Sequence, residues 1–198
     1  PGGPETVSTT GTGYVMFTTP LQEGSYTITE KVKPGWEQAG TSGDCSFTVD
    51  YPADAGKEFA CTYENEGLAS KMGTKFEDLN GNGQRDEGEP GLEGWTIELW
   101  DSTGKVAEAE TDGDGNYKFE ELFPASYVVC EQLKAGWAQT YPQQGDPGTV
   151  DCPDGLGLGP IGYQFTLVPG QNETGNDFGN VELGTIIVEK QTDPDKDP

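Results

Sequence analysis

Gly24-Ser-Tyr26-Thr-Ile-Thr-Glu30-Lys-Val-Lys33-Pro-Gly35-Trp36 is written a second time, as Ala125-Ser-Tyr127-Val-Val-Cys-Glu131-Gln-Leu-Lys134-Ala-Gly136-Trp137. Tyr, Glu, Lys, Gly and Trp coincide in the two stretches, and self-similarity of this kind marks repeated structural units. An aromatic segment precedes each copy, Tyr14-Val-Met-Phe17 and Tyr117-Lys-Phe119, and both segments are expected to be strands. A closing strand ending in Asn follows each, at Glu64-Asn65 and at Gly179-Asn180. The chain therefore reads as two homologous domains.

Working outward, the second copy opens with Gly73-Thr-Lys75-Phe-Glu-Asp78, for which the first copy has no counterpart ahead of Tyr14. The comparable stretch is Gly184-Thr-Ile-Ile-Val-Glu-Lys190-Gln-Thr-Asp193, at the far end of the chain, with Lys190 matching Lys75 and Asp193 matching Asp78. Three segments follow: residues 1–67 as a β-sandwich lacking its first strand, 68–182 as a complete sandwich, and 183–198 as a strand that completes the first domain of the next unit. A sandwich without its first strand exposes unpaired backbone groups beside an open core, and a strand from a neighbour fills such a gap by β-strand addition. The other reading is a tandem protein cut at an arbitrary point.

Composition supports this. Thirty Gly, fourteen Pro and an abundance of Thr, Val and Tyr favour short strands and tight turns, so the expected class is all-β. A net charge of −24 disfavours nucleic acid and anionic lipid and favours cations. The chain has no His, which removes the commonest general base and the usual metal-binding imidazole; an enzyme is not expected. No segment is apolar enough for membrane insertion. Four Cys in a Gly-rich acidic chain point to disulfides and an extracellular or cell-surface location. Intradomain pairs, Cys45–Cys61 and Cys130–Cys152, are the economical choice among three pairings, with free thiols the alternative. Asn172-Glu-Thr174 is a glycosylation triplet.

Asp78-Leu-Asn80-Gly-Asn82-Gly-Gln84-Arg-Asp86-Glu-Gly-Glu89-Pro-Gly, with Thr111-Asp-Gly-Asp-Gly-Asn-Tyr-Lys-Phe119 and Asp177-Phe-Gly-Asn180, resembles the B-type repeats of serine-aspartate-repeat surface adhesins. Residues 13–66 with 184–193 resemble the related B-type domains of collagen adhesins and pilins. The resemblance implies prealbumin-like (Ig-like) sandwiches serving as stalks or pilus units, some binding calcium and some carrying an internal Lys–Asn isopeptide bond.

Asp78, Asn80, Asn82, Gln84, Asp86 and Glu89 fall at the ligand positions of an EF-hand-type calcium loop, with Gly83 where the chain must turn sharply. A hard cation wants six to eight oxygens, and this spacing wraps them around one point. With strand before the loop and turn after it, Ca2+ would stiffen the domain and not signal. Asp112, Asp114, Asn116 and Asp177 could form a second site; the competing reading is a hairpin turn.

Lys75, Glu131 and Asn180 match the positions that the resemblance assigns to the isopeptide, and Lys190 of a neighbouring unit with Glu30 and Asn65 forms the equivalent set for the first domain. Phe76, Trp137 and Phe178 are expected to supply the apolar pocket such a bond needs. The alternative is a Lys–Glu pair with Asn serving a turn. Trp36 and Trp137 are expected to play one packing role, repeated in both domains; Trp95 and Trp100 should face opposite sides of a strand, one of them exposed. The partners expected are copies of the chain itself, head to tail, with a glycan or matrix ligand of a surface adhesin as the alternative function.

Overall fold

The computed structural model describes residues 5–9 and 13–190. Among them every regular element is a β-strand, and the chain divides into two compact units, Pro1–Glu66 and Gly67–Pro198. No helix is long and apolar enough to cross a membrane.

The first unit contains β1 (Gly24–Thr27), β2 (Trp36–Gly43), β3 (Ser46–Val49) and β4 (Cys61–Gly67, running one residue past the boundary). They form two small pairs, β1 antiparallel to β3 and β2 beside β4. Its packing is thin. Val49 is the apolar side chain buried there among the described residues, and the rings of Tyr26, Phe47 and Phe59 stack in a row with centroids 5.5 and 4.1 Å apart. Tyr63 ties β4 back by donating to the Ile28 carbonyl at 2.5 Å.

Two expectations fail in this unit. Tyr14–Phe17 is not a strand, and Tyr14 and Met16 are 69% and 62% exposed. Trp36 is 49% exposed and so does not pack as its counterpart does. In the second unit the matching aromatic strand is held by the opening strand, whereas among the described residues of the first unit no strand pairs with Tyr14–Phe17.

That second unit comprises β5 (Ala69–Glu77), β6 (Thr96–Asp101), β7 (Gly104–Glu110), β8 (Asn116–Leu122), β9 (Ser126–Glu131), β10 (Trp137–Tyr141), β11 (Thr149–Asp151), β12 (Ile161–Thr166), β13 (Asn172–Glu173) and β14 (Phe178–Glu182). One sheet has β5 at its centre. On one edge β8 pairs antiparallel, with Gly73 opposite Tyr117 and Lys71 opposite Phe119; on the other β13 and then β14 run parallel, and β10 closes against β14. The second sheet runs β11-β12-β9-β6-β7.

Side chains from both sheets meet in one core: Ala69, Tyr117, Phe119, Leu122 and Phe178 from the first, Ile97, Leu99, Tyr127, Val129 and Tyr163 from the second. This is a β-sandwich. Along β8 inward Tyr117 and Phe119 alternate with outward Lys118 and Glu120, until Glu121 at φ 54° opens a bulge that returns Leu122 to the core. Full burial of each large apolar side chain contributes roughly 1.5–3 kcal/mol. The Asp112–Asn116 turn joins β7 in one sheet to β8 in the other, so it is an arch between sheets and not a hairpin. Its side chains still do a turn's work: Asp112 Oδ1 accepts from the N–H groups of Asp114 and Asn116 at 3.0 and 2.8 Å.

Beyond β14 the chain has no regular structure from Leu183 to Lys190, and Ile186, Ile187 and Val188 are 86–92% exposed. The 183–198 segment is thus seen only in part, since Asp193 and its neighbours lie outside the described residues.

Candidate functional site

The parallel pairing of β5 with β14 places Phe178 opposite Lys75, and Asn180, two residues on, turns its side chain toward the same amine. Lys75 Nζ donates to Asn180 Oδ1 at 2.6 Å and to the Phe178 carbonyl at 3.3 Å, and lies 3.1 Å from Glu131 Oε2, which arrives on β9 from the facing sheet. All three residues are fully buried. Bringing them together takes both sheets, because no two of the strands that carry them are consecutive in the chain.

Phe178 lends its carbonyl to the amine, whereas Phe76, next to Lys75 on β5, faces the other side of the sheet against Tyr141 and so does not line the pocket as expected; the ring over the amine is Trp95, with Nζ 4.4 Å from a Trp95 ring centroid. Trp137 stands behind it, edge-on, the rings 5.5 Å apart at 89°. Trp95 is buried and Trp100 half-buried, so neither is the exposed aromatic that the sequence suggested. Gly159 also matters here, since a Cβ at that position would stand 2.7 Å from Gln139 Oε1 and 2.9 Å from Glu131 Cγ.

Burial governs the electrostatics. It pushes the Lys75 amine down to about 8, against the pull of Glu131, and pushes the Glu131 carboxyl up to about 7, against the pull of Lys75. Neither Glu131 oxygen receives a well-aligned hydrogen bond, and Asn180 Nδ2 has no acceptor. Orphaned acceptors in a dry pocket suit a carboxyl that carries its own proton. Burial thus disfavours both charges and favours a neutral amine beside a protonated acid. A neutral amine facing an amide carbon, with an acid beside it, can attack that carbon while the acid protonates the departing nitrogen.

In the first unit Asn65 Nδ2 donates to Glu30 Oε1 at 2.7 Å, and Asn65 Oδ1 is buried without a partner. None of that unit's own lysines pairs with Glu30 among the described residues. Lys190 stands on the exposed 183–190 segment.

The Asp78–Glu89 loop is folded by its own acids. Asp78, fully buried, accepts from the N–H groups of Asn82 and Gly83 at 3.1 and 2.7 Å, and Glu89 from those of Leu79 and Asp86 at 3.0 and 2.9 Å. Burial alone would raise Asp78, but the N–H of Gly83 and further loop donors outweigh it and hold the carboxyl below its ordinary value. Asn80 and Asn82 converge on Asp86 Oδ2, each at 2.8 Å, while Gln84 donates its N–H to Asn82 Oδ1. Gly83 takes φ +74°, and a Cβ there would stand 2.3 Å from Gln143 Nε2, so the turn admits glycine alone.

Among the described residues no three or more acidic or cysteine side chains gather as a metal cluster, because the loop mixes amides with carboxylates and turns the latter onto backbone donors. Each such oxygen keeps a second lone pair. An all-oxygen set with charge on Asp78, Asp86 and Glu89 has the chemistry of a hard-cation site and fits calcium better than a soft transition metal. Asp177 serves elsewhere: its Oδ1 accepts from the Thr74 N–H at 2.8 Å on β5.

Both intradomain disulfides are present, Cys45–Cys61 and Cys130–Cys152. Gly162 makes room for the second, since a Cβ there would lie 2.7 Å from both sulfurs. Asn172 is exposed on β13, where it accepts from Ser70 Oγ at 2.7 Å. Sequence reasoning missed Lys71, a second fully buried lysine. Its amine donates to the carbonyls of Met72 and Gly175 at 2.7 and 2.5 Å, with the Phe165 ring 5.4 Å away, and burial lowers it to about 8. Its position opposite Phe119 in the β5–β8 pair was the available signal, but reading it needs the register.

Residues 71–180 match the model of the SdrD B-like domain. The chain is 35% identical over 112 residues to Colossin-A of Dictyostelium discoideum, an alignment covering 54% of this chain and 1% of that protein. It is 38% identical over 84 residues to serine-aspartate repeat-containing protein E of Staphylococcus aureus, covering 42% of this chain and 7% of that one. The chain thus spans less than a tenth of the length of these relatives. Among solved structures, GBS52, the minor pilin of Streptococcus agalactiae, aligns with a TM-score of 0.39 at 16% identity over 81% of this chain and 61% of that one. The Bacillus anthracis TIE protein aligns with a TM-score of 0.38 at 14% identity over 62% of this chain and 20% of its own. With its family model matched across more than half of its length, the chain belongs to the SdrD B-like domain family.

Proposed function

We propose that this protein is a structural unit of an extracellular fibre or stalk, built from marginal β-sandwiches that are stapled into a stiff rod. It performs no turnover chemistry. The reading is carried by one observation: the Tyr14–Phe17 segment stays irregular for want of a partner strand, while the repeat of that strand hangs exposed at 184–190. Units join head to tail when that segment enters the first domain of the next unit, whether on a separate molecule or further along one polypeptide. Its apolar Ile186 and Val188 then cover a core too thin to stand alone.

Three staples add stiffness. The disulfides close each unit. Ca2+ binds the Asp78–Glu89 loop, held by Asp78, Asn80, Asn82, the Gln84 carbonyl, Asp86 and Glu89, and supplies charge that cross-braces the loop. In the second unit Lys75 Nζ bonds to Asn180 Cγ, with Glu131 shuttling the proton and ammonia leaving, which makes the sandwich inextensible between its first and last strands.

A second reading is a ligand-binding module. Trp36 is half exposed, and one relative, 41% identical over 66 residues, bears the name bone sialoprotein-binding protein. Glycan and matrix-protein arrays on the full chain test it.

Sedimentation of the full chain tests the assembly. Concentration-dependent linear species that vanish on deleting residues 184–198, with the head still folded, are expected. A chain that remains monomeric at high concentration with those residues present would refute it.

A further inference from the structure

We infer that Asn80 is a site of spontaneous self-modification: its side-chain amide closes onto the Gly81 nitrogen, sheds ammonia and opens to an aspartyl or isoaspartyl residue, at a rate set by whether the loop holds its cation. Control by the cation rests on the calcium reading above, whereas the site itself rests on the loop's own geometry.

Of the chain's asparagines only Asn80 and Asn82 are followed by Gly, and both stand in the Asp78–Glu89 loop. Glycine has no Cβ to shield its nitrogen, and its backbone freedom lets that nitrogen approach the preceding side chain. As electrophiles the two asparagines are matched. Asn80 Oδ1 accepts from the Asn82 N–H at 3.0 Å, Asn82 Oδ1 accepts from the Gln84 N–H at 2.8 Å, and each Nδ2 donates to Asp86 Oδ2 at 2.8 Å. In both, the N–H on the amide oxygen draws charge from Cγ and stabilises the oxyanion that attack would create.

As nucleophiles the two glycines differ. Gly83 is buried and donates its N–H to the Asp78 carboxylate at 2.7 Å, in a turn so tight that a Cβ would stand 2.3 Å from Gln143 Nε2. Its nitrogen cannot turn back on Asn82 without giving up a bond to a buried charge. Gly81 is exposed, its N–H makes a long bond of 3.3 Å to the Asp78 carbonyl, and nothing lies within 4 Å of where its Cβ would be. That nitrogen is free to swing toward Asn80 Cγ.

The reaction consumes one water and releases one ammonia. Hydroxide takes the Gly81 amide proton, and the nitrogen attacks Asn80 Cγ; the N–Cγ bond forms as the Cγ–Nδ2 bond breaks, and Nδ2 takes a proton from water and leaves as ammonia. Water then opens the cyclic imide at one of its two carbonyls. The isoaspartyl product routes the main chain through the former side chain, which lengthens it by a methylene and shifts Asn82, Gln84, Asp86 and Glu89 against Asp78. Ca2+ held by the Asn80 side chain would tie Cγ down and keep it from the Gly81 nitrogen. A unit that loses its cation thereby loses, with time, the spacing needed to bind it again.

The full chain is incubated in mildly alkaline buffer with chelator, with Ca2+ or with denaturant, then followed by peptide mapping and by enzymatic methylation of isoaspartate. In the folded chain with chelator, conversion at Asn80 should outrun conversion at Asn82 by about tenfold or more, the worth of a hydrogen bond to a charged group. In denaturant, where both nitrogens are free, the two should convert at like rates. Ca2+ should slow Asn80 toward the rate of Asn82. Preferential conversion of Asn80 that Ca2+ does not slow supports the site and overturns its control by the cation. Equal rates at the two asparagines in the folded chain, or a folded chain intact at Asn80 over the time in which the denatured chain is converted, overturns the site itself.

Discussion

Replacing Glu131 by Gln preserves shape and removes only the ionisable oxygen, which isolates the role of the acid in the buried centre. Lys75 is fully buried, and Glu131 is the only carboxylate within ion-pair distance of its amine among the described residues. Before the bond forms, amine and acid share their protons as one buried pair, and withdrawing one partner from such a pair costs about 3–5 kcal/mol. For a domain of this size, where 1 kcal/mol shifts the melting temperature by about 4 °C, the second unit should melt about 12–20 °C lower. The chemical consequence is separate: without an acid to shuttle protons, the Lys75–Asn180 bond should not form, and the mass deficit of about 17 Da should be absent. Calorimetry and intact mass on the parent, on Glu131→Gln and on Glu120→Gln read both. Glu120 is an exposed acid paired only with Lys118, so its loss should cost no more than about 1 kcal/mol. A Glu131→Gln chain with the parent's mass deficit, or melting within about 3 °C of it, would refute the assignment of Glu131 as the compensating acid.

The remaining predictions concern the other staples and the second buried lysine. Adding Ca2+ at a hundred times its dissociation constant should stabilise the second unit by about 2.7 kcal/mol in chemical denaturation, and Asp86→Asn with Glu89→Gln should abolish that gain. Because the Asp78 N–H bonds to the Asn180 carbonyl and the Leu92 N–H to the Lys75 carbonyl, both at 2.9 Å, the loop also sets the register of the two bond-forming residues; refolding in chelator should slow the appearance of the cross-linked mass. Burial lowers Lys71 to about 8 from 10.5, so between those values the unfolded chain binds more protons than the folded one and stability rises with pH; Lys71→Met should remove Lys71's share of that slope and raise stability near neutrality. Reducing the disulfides, which close loops of 16 and 22 residues, should cost about 3 kcal/mol each in denaturant titrations.

How much of this was legible beforehand depends on the range of the interaction. Gly, Pro and β-branched residues act on their own backbone, and the Asp78–Glu89 loop is a contiguous run folded by its own turns and acids, so both could be read from the string alone. The self-match around Glu30 and Glu131 likewise revealed the duplication and the identities of Lys75, Glu131 and Asn180, while the strand it predicts at 184–190 has no regular structure.

What required the fold was everything decided across the sheets. Trp95, not Trp137, covers the Lys75 amine: Trp95 leads into β6 in the layer facing β5, whereas Trp137 on β10 belongs to the same sheet as β5, a relation that no local spacing encodes. Lys71 is buried by its register against Phe119, and the Asp112–Asn116 turn bridges two sheets although its residues would serve a hairpin equally well. Tyr14–Phe17 failed as a strand for the complementary reason: its apolar composition is that of β8, but a strand is stabilised by hydrogen bonds to a neighbour, and among the described residues of its unit no strand pairs with it. Sequence thus determined which residues are available; tertiary structure decided which of them are desolvated together, and desolvation is what gives the buried amine and acid their chemistry.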